Sequence, residues 1–160
     1  ALSALGATIN VVNKDGKKRA IHIDEYHRLP GDDPTRDNNL KPGELVTTID
    51  IPKNSWAKNS YYLKVRDRAS YDFALVSVAA GLDIKNGVIR GARISMGGVA
   101  PKPWRAMIAE KELMGKKPSK ELFERAAKME MERAKPLTHN EFKVLLGERA
   151  IARSLMKAAE

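Results

Sequence analysis

Short runs of β-forming residues alternate with turn signals through the first hundred positions, and a longer helical period then takes over. Ala7 to Val12 reads ATINVV, and after Asp15-Gly16 the segment KKRAIHID repeats the pattern, so a hairpin is predicted across the Asp-Gly turn. From Leu29 to Pro42 the chain carries Pro30-Gly31, Asp32-Asp33-Pro34 and Lys41-Pro42, which predicts a loop. Glu44 to Pro52 (ELVTTIDIP) returns to a strand that alternates after Val46 and stops at the proline. A polar bridge with Trp56 follows, and Tyr61 to Arg68 (YYLKVRDR) alternates as a strand. Phe73 to Ile84 is mostly apolar, rich in small and β-branched residues, and its period leaves strand and helix both open. Asn86-Gly87 is the strongest hairpin signal in the chain, and Val88 to Val99 is the expected return strand.

After Pro101 the period becomes helical. Pro103 is placed in the first turn of a helix that runs to Met114 and closes at Gly115. Ser119 caps a second helix, whose apolar stripe is Leu122, Phe123, Ala126, Ala127 and Ala134 and which Pro136 stops. Thr138 and Glu141 fit a capping box for a third, with Phe142, Leu145, Leu146, Ala152, Leu155, Met156 and Ala159 as its buried stripe. Strands first and helices last predict an α+β fold. An antiparallel sheet of about three strands would pack on a C-terminal layer of three helices, behind a β-rich N-terminal segment.

Composition narrows the chemistry. The 160 residues contain no Cys, which excludes disulfides, Cys-ligated metals and Cys nucleophiles within the chain. Apolar residues at 42% and charged residues at 31% fit a folded protein of ordinary size, and no apolar run is long enough to span a membrane. The chain opens at Ala1 with no initiator Met and no leader pattern, and reads as a piece of a longer polypeptide. The net charge of +9 raises the question of a polyanion partner. In KELFERAAKMEMERAK, however, the basic groups alternate with Glu, the pattern of a solvated helix face with local ion pairs, and no specific nucleic-acid contact is expected.

No self-contained active site emerges. His22, His27 and His139 have no metal-ligand spacing, and GxSxG, P-loop and GxGxxG patterns are absent. Asp67 and Asp72 flank Arg68 as a structural ion pair would. Lys64, Arg66 and Arg68 lie at period 2 and could share a strand face, and Gly97-Gly98 reads as a turn or bulge into the first helix.

Two segments carry a resemblance: YLKVRDRASYDFALVSVAAGL from Tyr62 to Leu82, and ISMGGVAPKPWRA from Ile94 to Ala106. With ALSALGATINVV, KKRAIHIDEYHRLPG and LKPGELVTTIDIP upstream in the expected order, they resemble the C-terminal part of the FAD-binding medium subunit of the molybdenum hydroxylases. That family includes xanthine dehydrogenase, aldehyde oxidoreductase and carbon monoxide dehydrogenase. The resemblance implies that residues 1–55 are the tail of the FAD-binding domain and 56–160 the flavoprotein C-terminal domain. It implies an oxidoreductase subunit that passes electrons from iron–sulfur clusters through FAD to an external acceptor. A large subunit would hold the molybdenum cofactor and a small subunit the iron–sulfur clusters. The main phosphate-binding loops for FAD would lie outside this chain, which would supply one wall of the flavin site and be inactive alone. Lys64 matches a Lys placed near the flavin ring and Val46 an apolar residue against it, whereas on residue pattern alone Lys64 is a solvent-facing Lys and Val46 sheet core. The complex would be cytoplasmic, or periplasmic where a partner carries an export signal. A non-catalytic docking domain and, more remotely, a basic nucleic-acid binder are the alternative readings.

Overall fold

Asn13 closes the first turn before any tertiary contact is needed. Its Oδ1 accepts the backbone N–H groups of Asp15 and Lys17 at 3.0 and 2.8 Å, while Gly16 supplies the left-handed φ of 77°. In the computed structural model, which describes residues 1–160, this turn joins β1 (Thr8–Val12) to β2 (Lys18–His22). The strand β3 (Leu45–Asp50) pairs antiparallel on the other side of β1, with a bulge between Asn10 and Val11. Two single-turn helices, α1 (Leu2–Leu5) and α2 (Ile23–Tyr26), flank the sheet. Its apolar face buries Ala7, Ile9, Val11, Ile21 and Ile23 as a small separate core.

The loop into β3 is held by Glu44. Arg19 forks onto it through Nε and Nη2, both at 2.7 Å, and the Lys41 N–H donates at 2.7 Å. The Arg19 hydrogen bonds first, and the Lys41 N–H second, hold the Glu44 carboxyl at about 2 rather than its ordinary 4.5. Because the folded value lies below the unfolded one, this contribution is complete above about pH 4.5 and is lost as the pH falls through about 2. Acid titration of the N-terminal unit's stability is expected to steepen over that window and to flatten in Glu44→Gln. An equally steep titration in the variant would contradict this.

A second sheet follows the linker and the 3₁₀ turn Ser55–Ala57. Its order is β4-β5-β6-β7, all antiparallel: β4 (Asn59–Val65), β5 (Val76–Lys85), β6 (Val88–Gly97) and the two-residue β7 (Trp104–Arg105). The β5–β6 hairpin turns at Asn86 and Gly87, both with positive φ (53° and 71°), the geometry that Asn-Gly favours. The open choice over Phe73 to Ile84 resolves as strand from Val76, because β4 and β6 bond β5 from both sides.

Val76, Val78, Ala80 and Leu82 of β5, with Ile94 and Met96 of β6, point to the helical layer and form the main core. That layer is α3 (Met107–Leu113), α4 (Lys120–Met131) and α5 (Phe142–Ala158). The other face carries small residues, Ser77, Ala79 and Gly81, which admit Trp56 so closely that a Cβ at Gly81 would lie 3.1 Å from its ring. Strand β5 is therefore buried on both faces, by helices on one side and by the linker and α1 on the other.

The α+β fold stands, with four strands in the C-terminal sheet rather than three. The first helix begins at Met107, not Pro103, because Trp104 and Arg105 first pair with Met96 and Ser95 at the sheet edge. Ser119 caps α4 as expected, its Oγ accepting Leu122 N–H at 3.1 Å. That helix ends at Met131, so Ala134 lies beyond it. The Thr138–Glu141 capping box does not form. Asn140 Oδ1 takes the Leu137 N–H at 2.6 Å instead, and α5 starts at Phe142 without a side-chain cap. Phe142 and Leu145 are consequently exposed, and the buried face of α5 is built from Ala150, Ile151, Ala152, Ser154, Leu155 and Ala158.

Candidate functional site

Lys64 is the sixth residue of β4, an edge strand, and pairs with Ser77. The pairing places it on the small-residue face, away from the helices, beside its same-face neighbour Tyr62. Its ammonium lies 5.8 Å from the centre of the Tyr71 ring. Asp72 does not neutralise it, because Arg68 Nε holds Asp72 Oδ2 at 3.2 Å. Lys64 is thus an exposed cation set beside an aromatic ring.

The connection from β4 to β5 is tied down by its own arginines. Arg66 Nη1 donates to Ser70 O at 3.1 Å and Arg68 Nη2 to Tyr71 O at 2.9 Å. Arg66 and Arg68 lie past the end of the strand, so they do not share its face with Lys64 as their spacing allowed. The end of this loop passes under Gly97-Gly98. A Cβ on Gly97 would meet Ser77 Oγ at 2.7 Å, and one on Gly98 (φ 76°) would meet Ala74 O at 2.8 Å. Gly98 therefore admits the backbone at the end of the loop, and Gly97 the Ser77 side chain of β5. Held in this way, the loop projects Tyr71 and Phe73 almost fully into solvent, 84% and 86% exposed. A bare tyrosine ring beside a lysine that no carboxylate pairs, with Phe73 exposed two residues further on, forms a surface suited to a flat ring with a polar edge.

Val46 lies on the other sheet. It pairs with Val11 and packs half-buried against the N-terminal core, as its sheet-core reading anticipated. Around it β3 exposes Leu45 and Ile49, and Ile51 just past its end is exposed as well. The structure does not bring Val46 and Lys64 into contact, since they sit on strands of different sheets. Between the sheets runs a cleft of about 460 Å³, lined by Ser3, Ile23 and His27 on one side and Tyr62, Ser77 and Ser95 on the other.

Sequence reading missed the charged joints. Arg105, 9% exposed, bridges Asp24 and Glu110. Glu130, expected on a solvated face, is completely buried. It accepts Trp104 Nε1 and the Ile108 N–H, both at 2.8 Å, and the Ala109 N–H at 3.2 Å, and so caps α3 from the neighbouring helix. No three acidic, His or Cys side chains gather as a metal site, and no helix is long and apolar enough to cross a membrane.

Residues 61–158 match the model of the CO dehydrogenase flavoprotein C-terminal domain. The chain is 35% identical over 158 residues to the aldehyde oxidoreductase FAD-binding subunit PaoB of Escherichia coli, covering 99% of this chain and 46% of that protein. It is 40% identical over 116 residues to the glyceraldehyde dehydrogenase medium chain of Sulfolobus acidocaldarius, covering 72% and 38%. It thus spans about half the length of the curated relatives it matches, or less. Among solved structures, quinoline 2-oxidoreductase from Pseudomonas putida superposes with a TM-score of 0.84 at 25% identity, over 99% of this chain and 54% of that one. Carbon monoxide dehydrogenase from Hydrogenophaga pseudoflava gives 0.86 at 22% identity, over 99% and 54%, and shares the fold.

Proposed function

The chain belongs to the CO dehydrogenase flavoprotein C-terminal domain family, and on that premise we propose that it forms part of the flavin subunit of a molybdenum hydroxylase. In that reading residues 1–55 are the tail of the FAD-binding domain and 56–160 the C-terminal domain; the two separate hydrophobic cores support the division. The observation that carries the flavin reading is Lys64, an exposed cation free of carboxylates beside the projecting ring of Tyr71.

The residues present fit the ring end of FAD. Lys64 would lie at the ring's polar edge, Tyr62 and Tyr71 would offer apolar faces beside it, and Val46 would close the opposite wall. Bound FAD would accept electrons from iron–sulfur clusters and pass them to an external acceptor. The contribution of Lys64 is electrostatic: a fixed cation favours negative charge on whatever it faces and raises the tendency of that group to be reduced. Burial of Tyr71 and Phe73 on binding would exclude water and strengthen the cation's field. The FAD pyrophosphate would be held by the part of the relatives' length that this chain does not span.

Leu137, Phe142 and Leu145, exposed by 74%, 52% and 51% around the start of α5, favour an accompanying docking role. The partners would be a large subunit with the molybdenum cofactor and a small subunit with iron–sulfur clusters. The intact subunit is expected to copurify with FAD. A colourless preparation that also takes up no added FAD would overturn the flavin reading.

A further inference from the structure

A guanidinium carries the ion pair that joins the two units. Asp24, in the first turn of α2, belongs to the N-terminal unit; Arg105, on β7, belongs to the far edge of the C-terminal sheet. Arg105 Nη1 donates to Asp24 Oδ2 at 2.9 Å, and Nη2 reaches both Glu110 oxygens at 2.6 and 2.8 Å. Glu110 Oε1 also accepts the Ile94 N–H at 2.7 Å, which anchors the hub in β6. Asp24 Oδ1 is taken by Ser3 Oγ at 2.6 Å, and Lys102 Nζ holds the Asp24 carbonyl at 3.1 Å. The hub therefore reaches α1, α2, β6, β7 and α3.

Its position gives it leverage. The linker between the units leads directly into β4, at one edge of the C-terminal sheet, and Arg105 stands on β7 at the other. Three strand spacings separate them, about 14 Å. The linker fixes one side of the N-terminal unit; on the other the ion pair acts together with the Lys102 bond to the Asp24 carbonyl and the packing of α1 on β5 and β6, so losing the ion pair loosens the unit's seat and lets it shift about the linker. Strands β3 and β4, which carry Val46 and Lys64, share no ladder that could fix their spacing directly.

We propose that Asp24 and Arg105 are a positioning pair that sets the N-terminal sheet against the C-terminal sheet, and thereby the gap between Val46 and Lys64 in which a flavin ring would be held. The second half rests on the flavin reading above. An arginine suits the task because its planar fork serves two carboxylates at once, which a lysine ammonium does not reproduce.

The test compares the intact flavin subunit with Asp24→Ala, Arg105→Lys and Asp24→Glu. Asp24→Ala leaves Arg105 both of its bonds to Glu110 and the C-terminal core its charge balance, and takes the Ser3 Oγ bond within the N-terminal unit with it. FAD affinity is measured by fluorescence quenching, and pivoting by the rate of tryptic cleavage after Lys53 and Lys58 in the linker region. Asp24→Ala and Arg105→Lys are each expected to weaken FAD binding roughly tenfold, with faster linker cleavage and, for Asp24→Ala, unchanged thermal unfolding of the C-terminal domain. Asp24→Glu is expected to recover most of both. Wild-type affinity and cleavage rate in Asp24→Ala would overturn the positioning role while leaving the flavin reading in place. A wild-type subunit that binds no FAD would overturn the flavin reading and the functional half of this inference together, and an unchanged cleavage rate would still overturn the mechanical half.

Discussion

Replacing Glu130 with Ala is expected to destabilise the C-terminal domain by about 3–5 kcal/mol, the range for removing one partner from a buried charged network. The carboxylate has no exposed surface and serves Trp104 Nε1 and the N–H groups of Ile108 and Ala109. Its loss leaves three donors without their acceptor at the start of α3, the Ala109 N–H buried and those of Trp104 and Ile108 partly so, each costing about 1–3 kcal/mol where water does not reach it. Arg133, at 3.7 Å from Glu130 and stacked at 5.1 Å on the Trp104 ring, would lose its counter-charge as well. Glu130→Gln keeps an acceptor oxygen but adds two donors to a site that already consists of donors, so an intermediate loss is expected. Urea unfolding of the three proteins measures this. A Glu130→Ala midpoint within error of wild type would show that α3 does not depend on the cap.

Gly98→Ala is expected to cost about 2–4 kcal/mol, from the left-handed backbone conformation and from overpacking. The residue has φ 76°, and an added Cβ would stand 2.8 Å from Ala74 O and 3.0 Å from Leu75 O. These are backbone atoms and cannot rotate aside, so the end of the loop carrying Tyr71 and Phe73 would have to move. Gly16 is the control. Its φ is 77°, but a Cβ there meets nothing within 4 Å. Gly16→Ala is expected to show the conformational part alone, about 1–2 kcal/mol. Equal losses at the two positions would contradict the close approach at Gly98.

The features that were legible in the sequence are those decided locally. Asp15-Gly16 and Asn86-Gly87 specify their turns through backbone conformations that few other residues adopt cheaply, and Ser119 caps its helix with its own hydroxyl. The features that were not legible depend on partners distant in the chain. Trp104 and Arg105 follow a proline that reads as a helix start, yet β6 offers them an open edge. Glu130 sits among lysines and arginines in a sequence that reads as a wet face, yet the start of α3 and an indole N–H twenty-six residues upstream draw it inside. Asp24 and Arg105 are eighty-one residues apart, and no local pattern joins them. The position of Lys64 on an alternating strand was readable. That its ammonium would stand free beside Tyr71 was not, because that depends on Arg68 occupying Asp72.

The central claim is that this chain supplies Lys64 to a flavin site. The most direct measurement is an FAD titration of the intact subunit, followed by quenching of flavin fluorescence, with wild type and Lys64→Ala side by side. The account predicts saturable binding by wild type and an affinity lower by about tenfold or more in Lys64→Ala, the loss expected for a charge-assisted contact. Equal affinity and equal flavin midpoint potential in the two proteins would contradict it.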